Sequence, residues 1–254
     1  QRYDVATANP PYTDSGDFGP ELKTFIEDNY KKPDKFHANL YAAFIKRCYE
    51  FANSNGKIAM IHPHTFMFIK TFEDVRKFMV EKTHIDYLVD LGLDRVNLFG
   101  PGILLDATFY VLSKSKSPVD GVYFNLTTNL QEKHKKGKFE EALEDLLTGK
   151  KNDRVYTLAQ SKLKIIQSWP FIYWISDEFR EKFGGLTIKE IGHPTLGLKT
   201  ANNNRFLRYW WEINPSNITN KVEYPKKWLR YAKGGDFNKW YGNLWLILDW
   251  NKNG

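Results

Sequence analysis

Residues 5–16 read VATANPPYTDSG. A short apolar run over residues 3–8 is cut off by an asparagine, two prolines and a tyrosine. The run has the length and residue types of a short buried strand. Two successive prolines fix φ twice and remove two N–H donors, and the residue before each is pushed towards an extended form. The strand therefore ends in a stiff turn. Ligand sites of open α/β sheets lie beyond the carboxyl ends of their strands, which is where this turn falls. Asn9 offers a side-chain carbonyl, the Pro10 carbonyl has few local donors, Pro11 stiffens the turn, and Tyr12 adds a flat ring. Two converging acceptors and a ring suit a planar group that carries an NH₂, such as the exocyclic amine of a base. That nitrogen is a poor nucleophile while its lone pair is delocalised. Acceptors on both hydrogens draw it towards sp³, so that it can attack an activated methyl group in line. Positioning and fixed dipoles would supply most of the acceleration. A base in a duplex must first be flipped out, and Tyr12 would hold it by stacking. The plainer alternative is a proline-stiffened turn without chemistry.

Outward from the turn, residues 37–54 place Leu40, Ala43, Phe44, Cys48 and Phe51 at helical spacing, and Asn55–Gly56 marks a stop and turn. Residues 57–63 read as a strand. Residues 71–83 read as a helix with Thr71 as N-cap and Asp74 in its first turn. Residues 85–92 and 107–114 read as two more strands, with Gly100–Pro101–Gly102 in the loop between them. This alternation predicts an open α/β sheet over residues 1–120. Residues 121–162 are charge-rich and read as a connector with one short helix. From residue 163 the sequence is aromatic and loop-rich, which predicts a second, mixed α+β domain over 163–254.

The chain has 254 residues, 42% hydrophobic and 26% charged, which is the composition of a folded protein rather than a disordered one. No apolar run reaches the roughly 18 residues of a membrane span, and no leader segment is legible, so a cytoplasmic protein is expected. Cys48 is the single cysteine, which rules out internal disulfides and cysteine-based zinc sites. The six histidines (37, 62, 64, 84, 134 and 193) form no metal pattern, and no metal is expected. His62 and Pro63 end a strand, so His62 either lines the cleft or is a satisfied loop histidine. The net charge of +7 with 16% aromatic residues suits nucleic acid, since phosphates want cations and unstacked bases want flat rings. A mildly basic soluble protein is the plainer reading.

The Asn-Pro-Pro-Tyr turn resembles the fourth motif of amino-methyltransferases that use S-adenosylmethionine. The longer stretches LYAAFIKRCYEFANSNGKIAMIHPHTFMF, FEDVRKFM and ATFYVLSK resemble the PglX adenine methyltransferases of bacterial BREX phage-defence systems, as do GLKTANNNRFLRYWWEI and KWLRYAKGGDFNKWYGN. The resemblance runs along nearly the whole chain and is weakest over 120–160. It implies a Rossmann-like domain, of which residues 1–120 would be the C-terminal half, followed by the start of a DNA target-recognition domain. It implies site-specific adenine-N6 methylation of double-stranded DNA in phage defence. It also implies S-adenosylmethionine as cofactor and other BREX proteins as possible partners. A type I or fused restriction-modification methyltransferase, or a DNA-binding module without catalysis, stays open as an alternative.

Carried onto this sequence, Asn9, Pro10, Pro11 and Tyr12 would form the catalytic turn, with Asn9 also near the cofactor. A second aromatic would pack on the flipped base. Phe99 is the match for it, or else a loop-anchoring core residue. The family's glycine-rich cofactor turn normally precedes the Asn-Pro-Pro-Tyr turn and has no counterpart here. A fragment is therefore expected, binding S-adenosylmethionine weakly or not at all by itself. In the second region, Lys199, Arg205 and Arg208 are expected against phosphates, with Thr200 among the DNA contacts and a solvated face as the plainer reading for the arginines. Asn202, Asn203 and Asn204 are expected at base edges, since Asn can bind adenine in bidentate fashion. Trp210 and Trp211 are expected in the core.

Overall fold

The computed structural model describes residues 1–94, 105–115, 117–127, 134–193, 197–221, 227–240 and 242–250. Phe99 and the Gly-Pro-Gly stretch lie outside the described residues. The chain divides into two compact units, Gln1–Ile191 and Gly192–Gly254. Among the described residues, no helix is long and apolar enough to cross a membrane.

The first unit is built on a six-stranded mixed sheet, in keeping with the expected α/β class. Its strands are β1 (Tyr3–Ala8), β2 (Ala52–Pro63), β3 (His84–Asp94), β4 (Leu105–Ser113), β5 (Gly121–Asn125) and β6 (Val155–Leu158). They lie in the order β1-β2-β4-β3-β5-β6. β1 runs parallel to β2, with Ala8 opposite Met60, and β3 runs parallel to β5. β4 is antiparallel to both β2 and β3, so β1, β2, β3 and β5 all point their carboxyl ends the same way. That common edge carries the Asn9 turn.

Helices α1 (Pro20–Tyr30), α2 (Leu40–Phe51) and α3 (Glu73–Lys82) follow β1, β1 and β2 in turn. The main core joins Tyr41, Ile45 and Cys48 of α2 and Val75 and Met79 of α3 to Ile58 and Leu88 of the sheet. Fully burying a side chain of this size contributes roughly 1.5–3 kcal/mol, so this cluster dominates the stability of the unit. Of the expected stripe on α2, Ala43 and Cys48 are buried and Leu40 is half-buried, while Phe44 and Phe51 are exposed, and Tyr41, Ala42 and Ile45 complete the buried face. The spacing alone allows either face, and only the angle at which α2 meets the sheet decides which side chains it buries.

Several other expectations are corrected. β1 is mostly exposed, with Val5 at 59%, because it lies at the sheet edge and pairs through β2 alone among the described residues. Asn55–Gly56 does not end a helix. α2 stops at Phe51, and Asn53–Gly56 bulge out of β2 between the pairs Tyr3–Ala52 and Val5–Lys57. Thr71 is not an N-cap: it lies in a 3₁₀ turn, Lys70–Phe72, and α3 starts at Glu73 with no side-chain cap. Glu73 and Asp74 favour that terminus through the helix dipole instead.

The stretch 121–162 does not form a connector. It supplies β5, α4 (Lys135–Leu147) and β6, which extend the sheet. Phe139, Ala142, Leu143 and Leu146 make an apolar stripe on α4 that packs with Phe124 and Val89. The lysines and glutamates between them mask that stripe in the sequence. Residues 163–191 also belong to the first unit, where Leu163, Phe171 and Tyr173 are buried in its main core. Two short helices, α5 (Asp177–Glu181) and α6 (Ile188–Ile191), close the unit.

The second unit holds α7 (Asn203–Phe206) and a four-stranded sheet of β7 (Leu207–Tyr209), β8 (Ile218–Thr219), β9 (Trp228–Tyr231) and β10 (Leu246–Asp249), ordered β7-β10-β9-β8. Its core is small: Leu207, Trp228, Ile247 and Leu248 are buried. Trp210 and Trp211, expected in the core, are 46% and 59% exposed. They follow β7 in a 3₁₀ turn at its end, where no layer covers them among the described residues.

Candidate active site

The turn at Asn9–Tyr12 leaves β1 as an extended, irregular segment. Asn9 and Pro11 are exposed, Pro10 is buried and Tyr12 is half-buried. Tyr12 packs its ring against the main core and donates its hydroxyl to Asn9 Oδ1 at 2.6 Å. Burial raises the phenol above its ordinary value, so it stays protonated and stays a donor. An amide oxygen has two lone pairs. The Tyr12 hydroxyl takes one and fixes the direction of the other.

Asn39, which sequence reasoning missed, holds the turn from behind. It is 3% exposed. Its amide donates to Tyr12 O at 3.1 Å and to Asp14 Oδ1 at 2.6 Å, while its own Oδ1 accepts from Tyr41 N at 3.1 Å as the N-cap of α2. Leu40 N adds a bond to Thr13 O at 3.0 Å. The start of α2 is thereby tied to the exit of β1. The signal in sequence was an Asn directly before a periodic helix, which marks a cap. We expect Asn39→Ala to cost about 1–2 kcal/mol in denaturant unfolding, the cap and one buried donation together. Asn39→Asp keeps the cap acceptor, loses both donations and faces Asp14 with a like charge. It should therefore be the more damaging of the two, both to unfolding and to any activity of the turn.

The neighbouring strand β2 ends in two histidines with opposite characters. His62 is fully buried and stacks on Tyr41 at 4.5 Å. Its Nδ1 lies 3.0 Å from Pro63 O and its Nε2 2.8 Å from the Tyr110 hydroxyl. A carbonyl can only accept, so Nδ1 carries the proton and Nε2 accepts from Tyr110. Burial pushes the His62 pKa down to about 4. It is a satisfied core histidine within β2, not a cleft lining. His64 lies just beyond the strand, with Nδ1 3.0 Å from Asp90 Oδ1 and Nε2 3.6 Å from Asp106 Oδ2. Burial disfavours its charge, but the hydrogen bond and charge of Asp90, with Asp106 behind, outweigh burial and raise its pKa.

Asp90 is itself 2% exposed and also accepts from Gly92 N at 3.0 Å. Gly92 has φ of +62°, and a Cβ there would meet Thr127 at 3.0 Å, so the bulge that turns this amide onto Asp90 requires glycine.

These two histidines set a pH dependence. The folded state holds the His64 proton more tightly than the unfolded chain, so that stabilisation is complete below about 6.5 and is lost as pH rises through the folded value. His62 is held less well protonated, so its contribution is lost as pH falls from about 6.5 towards 4. We expect urea unfolding to show stability falling as pH rises above about 6.5, and His64→Gln to flatten that limb only.

In the second unit, the residues expected at DNA split between two surfaces. Lys199 and Thr200 line a pocket of about 250 Å³ with Phe206 and Trp250. Asn203, Asn204 and Arg208 line another of about 620 Å³ with Tyr209, Lys233 and Trp245. Arg205 is exposed and lies 4.9 Å over the Phe206 ring. Asn202 Oδ1 is occupied in capping α7 through Arg205 N, and Asn203 Oδ1 accepts from the Thr200 hydroxyl. Their carbonyls are thus engaged locally, whereas no hydrogen bond occupies the Asn204 side chain among the described residues; its backbone carbonyl accepts from Arg208. Sequence reasoning missed Tyr209 and Trp245, which the β7-β10-β9 pairing brings to the same surface as Lys233 of the KGGDFNKW stretch.

Residues 1–99 match the family of Eco57I restriction-modification methylases. Over its full length the chain is homologous, at 28% identity, to the adenine-specific methyltransferase PglX of Lacticaseibacillus casei, covering 21% of that protein. It is also 28% identical, again over its full length, to the adenine-specific methyltransferase BrxX of Escherichia coli, covering 20% of that protein. The chain thus spans about a fifth of the length of these relatives. Among solved structures, a chain of a type I restriction-modification system is similar over 75% of this chain and 41% of its own, with a TM-score of 0.49 and 14% identity.

Proposed function

We propose that this chain is the target-holding part of a site-specific adenine-N6 DNA methyltransferase that uses S-adenosylmethionine, acting in BREX-type phage defence. The observation that carries the reading is the turn itself. Asn9 Oδ1 is exposed at the exit of β1, aimed by the Tyr12 hydroxyl at 2.6 Å and braced by buried Asn39. It lies in a chain homologous throughout to adenine-specific methyltransferases.

The residues present fit the acceptor side of the reaction. The flipped adenine would place its amine between Asn9 Oδ1 and the Pro10 carbonyl, with its ring on Tyr12. Pro10 and Pro11 keep these acceptors from relaxing away. Accepting from both N–H bonds would localise the nitrogen lone pair, which would form the new N–C bond as the methyl group's bond to the cofactor's sulfur breaks and the sulfur keeps that electron pair. The nitrogen then sheds one proton to water, because neither amide acceptor holds a proton at neutral pH. The cofactor supplies the activated methyl group when bound. Asn9 is the residue of this chain that would lie near it, since no glycine-rich cradle is legible in this sequence.

The second unit would bind the target duplex. Lys199, Arg205, Arg208 and Lys233 suit phosphates, and Thr200 with Asn202, Asn203 and Asn204 suit polar groups of the grooves. Asn204 is the base reader whose side chain is not engaged locally. Other BREX proteins are proposed partners.

The test is labelled methyl transfer by the full-length protein into host-type duplex DNA, with and without its BREX partners. Label on adenine N6 supports the reading. Label on RNA or on glutamine side chains overturns it. So does absence of label under every condition while DNA binding persists, which would leave a DNA-binding module.

A further inference from the structure

The second unit carries almost all of the chain's charge. Residues 192–254 hold ten lysines and arginines against four aspartates and glutamates, which accounts for all but one of the +7 charges. The pairing of its sheet also gathers exposed aromatic rings at one end. β10 is antiparallel to both β7 and β9, so the residues after β7, those after β9 and those before β10 share that end. Trp210 and Trp211 follow β7, and Trp210 N donates to Trp245 O at 2.9 Å, just before β10. The loop from β9 to β10 adds Phe237 and Trp240, 90% and 88% exposed.

These rings are not alike. Trp211 stacks on Tyr209 at 4.5 Å and meets Trp210 edge to face at 5.6 Å, so those three lean on one another. Phe237 touches no other ring and no cation among the described residues, so both its faces are open. The backbone that carries it is braced. Asn238 and Asn243 both donate to Asp236 O, at 3.2 and 3.4 Å. A Cβ at Gly235 would meet Asn243 Oδ1 at 2.9 Å, and one at Gly242 would meet Asn238 Cβ at 2.5 Å, so this close approach requires glycine. The braces fall on Asp236 and Asn238, the residues on either side of Phe237. Lys233 and Lys239 flank them, against Asp236 as the one carboxylate of the loop. Neither lysine has a carboxylate partner among the described residues, and Lys239 Nζ lies 5.1 Å over the Trp240 ring. The cores of protein–protein interfaces are depleted in lysine. Apolar side chains among cations are instead what DNA-bending proteins push between base steps.

We propose that Phe237 is a wedge. The aromatic end of the second unit meets a DNA duplex, Phe237 enters between two base pairs and stacks on both, and Lys233 and Lys239 take phosphates beside the opened step. The choice of duplex DNA rests on the function proposed above. The wedge adds a second source of target preference. Opening a step costs least where stacking is weak, so flexible pyrimidine–purine steps are favoured at a position that no hydrogen bond reads.

The experiment uses the full-length protein and host-type duplex fragments selected for tightest binding to wild type, with a donor and an acceptor dye at their ends. Wild type, Phe237→Ala, Phe237→Leu and the double variant Lys233→Ala/Lys239→Ala are compared. Phe237 has almost no packing to lose, so its variants keep the fold. Wild type is expected to bring the ends of the duplex closer on binding. Phe237→Ala should remove most of that change and weaken binding about tenfold, as for the loss of a stacked ring. Its slope of log affinity against log salt should stay at the wild-type value, because no phosphate contact is lost. Phe237→Leu should keep most of the bend, since an aliphatic wedge also parts two base pairs. The double variant should lower the salt slope by about 2, one for each phosphate left without its cation. The proposal is overturned by a wild type that leaves the duplex straight, by a Phe237→Ala that bends it as wild type does, by an unchanged salt slope in the double variant, or by tighter binding to single strands than to duplex. If the same samples methylate adenine N6 and the bend is independent of Phe237, the wedge fails alone. If the bend depends on Phe237 and no adenine is methylated, the wedge stands and the proposed function fails.

Discussion

Asn9→Ala in the full-length protein should lower methyl transfer by roughly 10²–10³-fold while DNA affinity stays within about twofold. The size follows from what is removed. One fixed acceptor is lost from a site whose acceleration comes from fixed dipoles rather than from an acid, a base or a covalent intermediate. The side chain is exposed and, among the described residues, bonds to the Tyr12 hydroxyl, so its removal leaves the core untouched. The Tyr12 variants divide the role further. Tyr12→Phe keeps the ring but loses the hydroxyl that aims Asn9, and should lower kcat with little change in KM. Tyr12→Ala loses the ring as well and should also weaken the hold on the flipped base, by about 1–3 kcal/mol for a stacked base. Single-turnover transfer and DNA binding, measured side by side, check all three. Full activity in Asn9→Ala would remove the amide from the mechanism and leave the turn a structural device.

What the sequence showed and what it hid have separable physical causes. The turn was legible because proline and asparagine act locally: the restriction of φ and the lone pairs belong to the residues themselves. The brace behind it was not, because Asn39 meets Tyr12 across 27 positions and only the packing of α2 against β1 brings them together. The sheet order was likewise hidden. Strands β3 and β4 are visible as apolar runs, but that β4 inserts between β2 and β3 is a matter of pairing, not of composition. Charge misled at α4, where abundant lysine and glutamate read as a linker although an apolar stripe at helical spacing packs against the sheet. Aromatic density misled twice, and in opposite directions. Phe171 and Tyr173 look like part of a second domain and lie in the first core, whereas Trp210 and Trp211 look like core and face solvent. Hydrophobicity reports the gain available from burial, not whether a layer is there to cover the side chain.

Arg76 is where that hidden long-range packing should have its largest effect on stability. It is fully buried and has no carboxylate partner within bonding distance among the described residues. Its guanidinium instead bonds four backbone carbonyls. Nη1 donates to Phe66 O and Ile69 O, both at 2.7 Å, Nη2 to Ser168 O at 2.8 Å, and Nε to Ser168 O and Trp169 O at 3.1 Å. Burial lowers its pKa to about 10, so it remains charged at neutral pH, and Glu73 nearby opposes the shift. The bonds tie the turn after β2 to a segment nearly a hundred residues later. In that segment Ser168 and Trp169 hold left-handed φ values of 68° and 49°, which cost non-glycine residues roughly 1–2 kcal/mol each. We expect Arg76→Ala to destabilise the protein by about 3–5 kcal/mol, the range for leaving buried polar groups unpaired. Arg76→Met should do little better, because an apolar replacement leaves the same four carbonyls without donors. Arg76→Lys should still cost about 2 kcal/mol or more, since one nitrogen cannot reach carbonyls arranged around a planar fork. Urea unfolding with an unchanged m-value is the measurement, and a loss under about 1 kcal/mol for Arg76→Ala would show that these carbonyls find other donors.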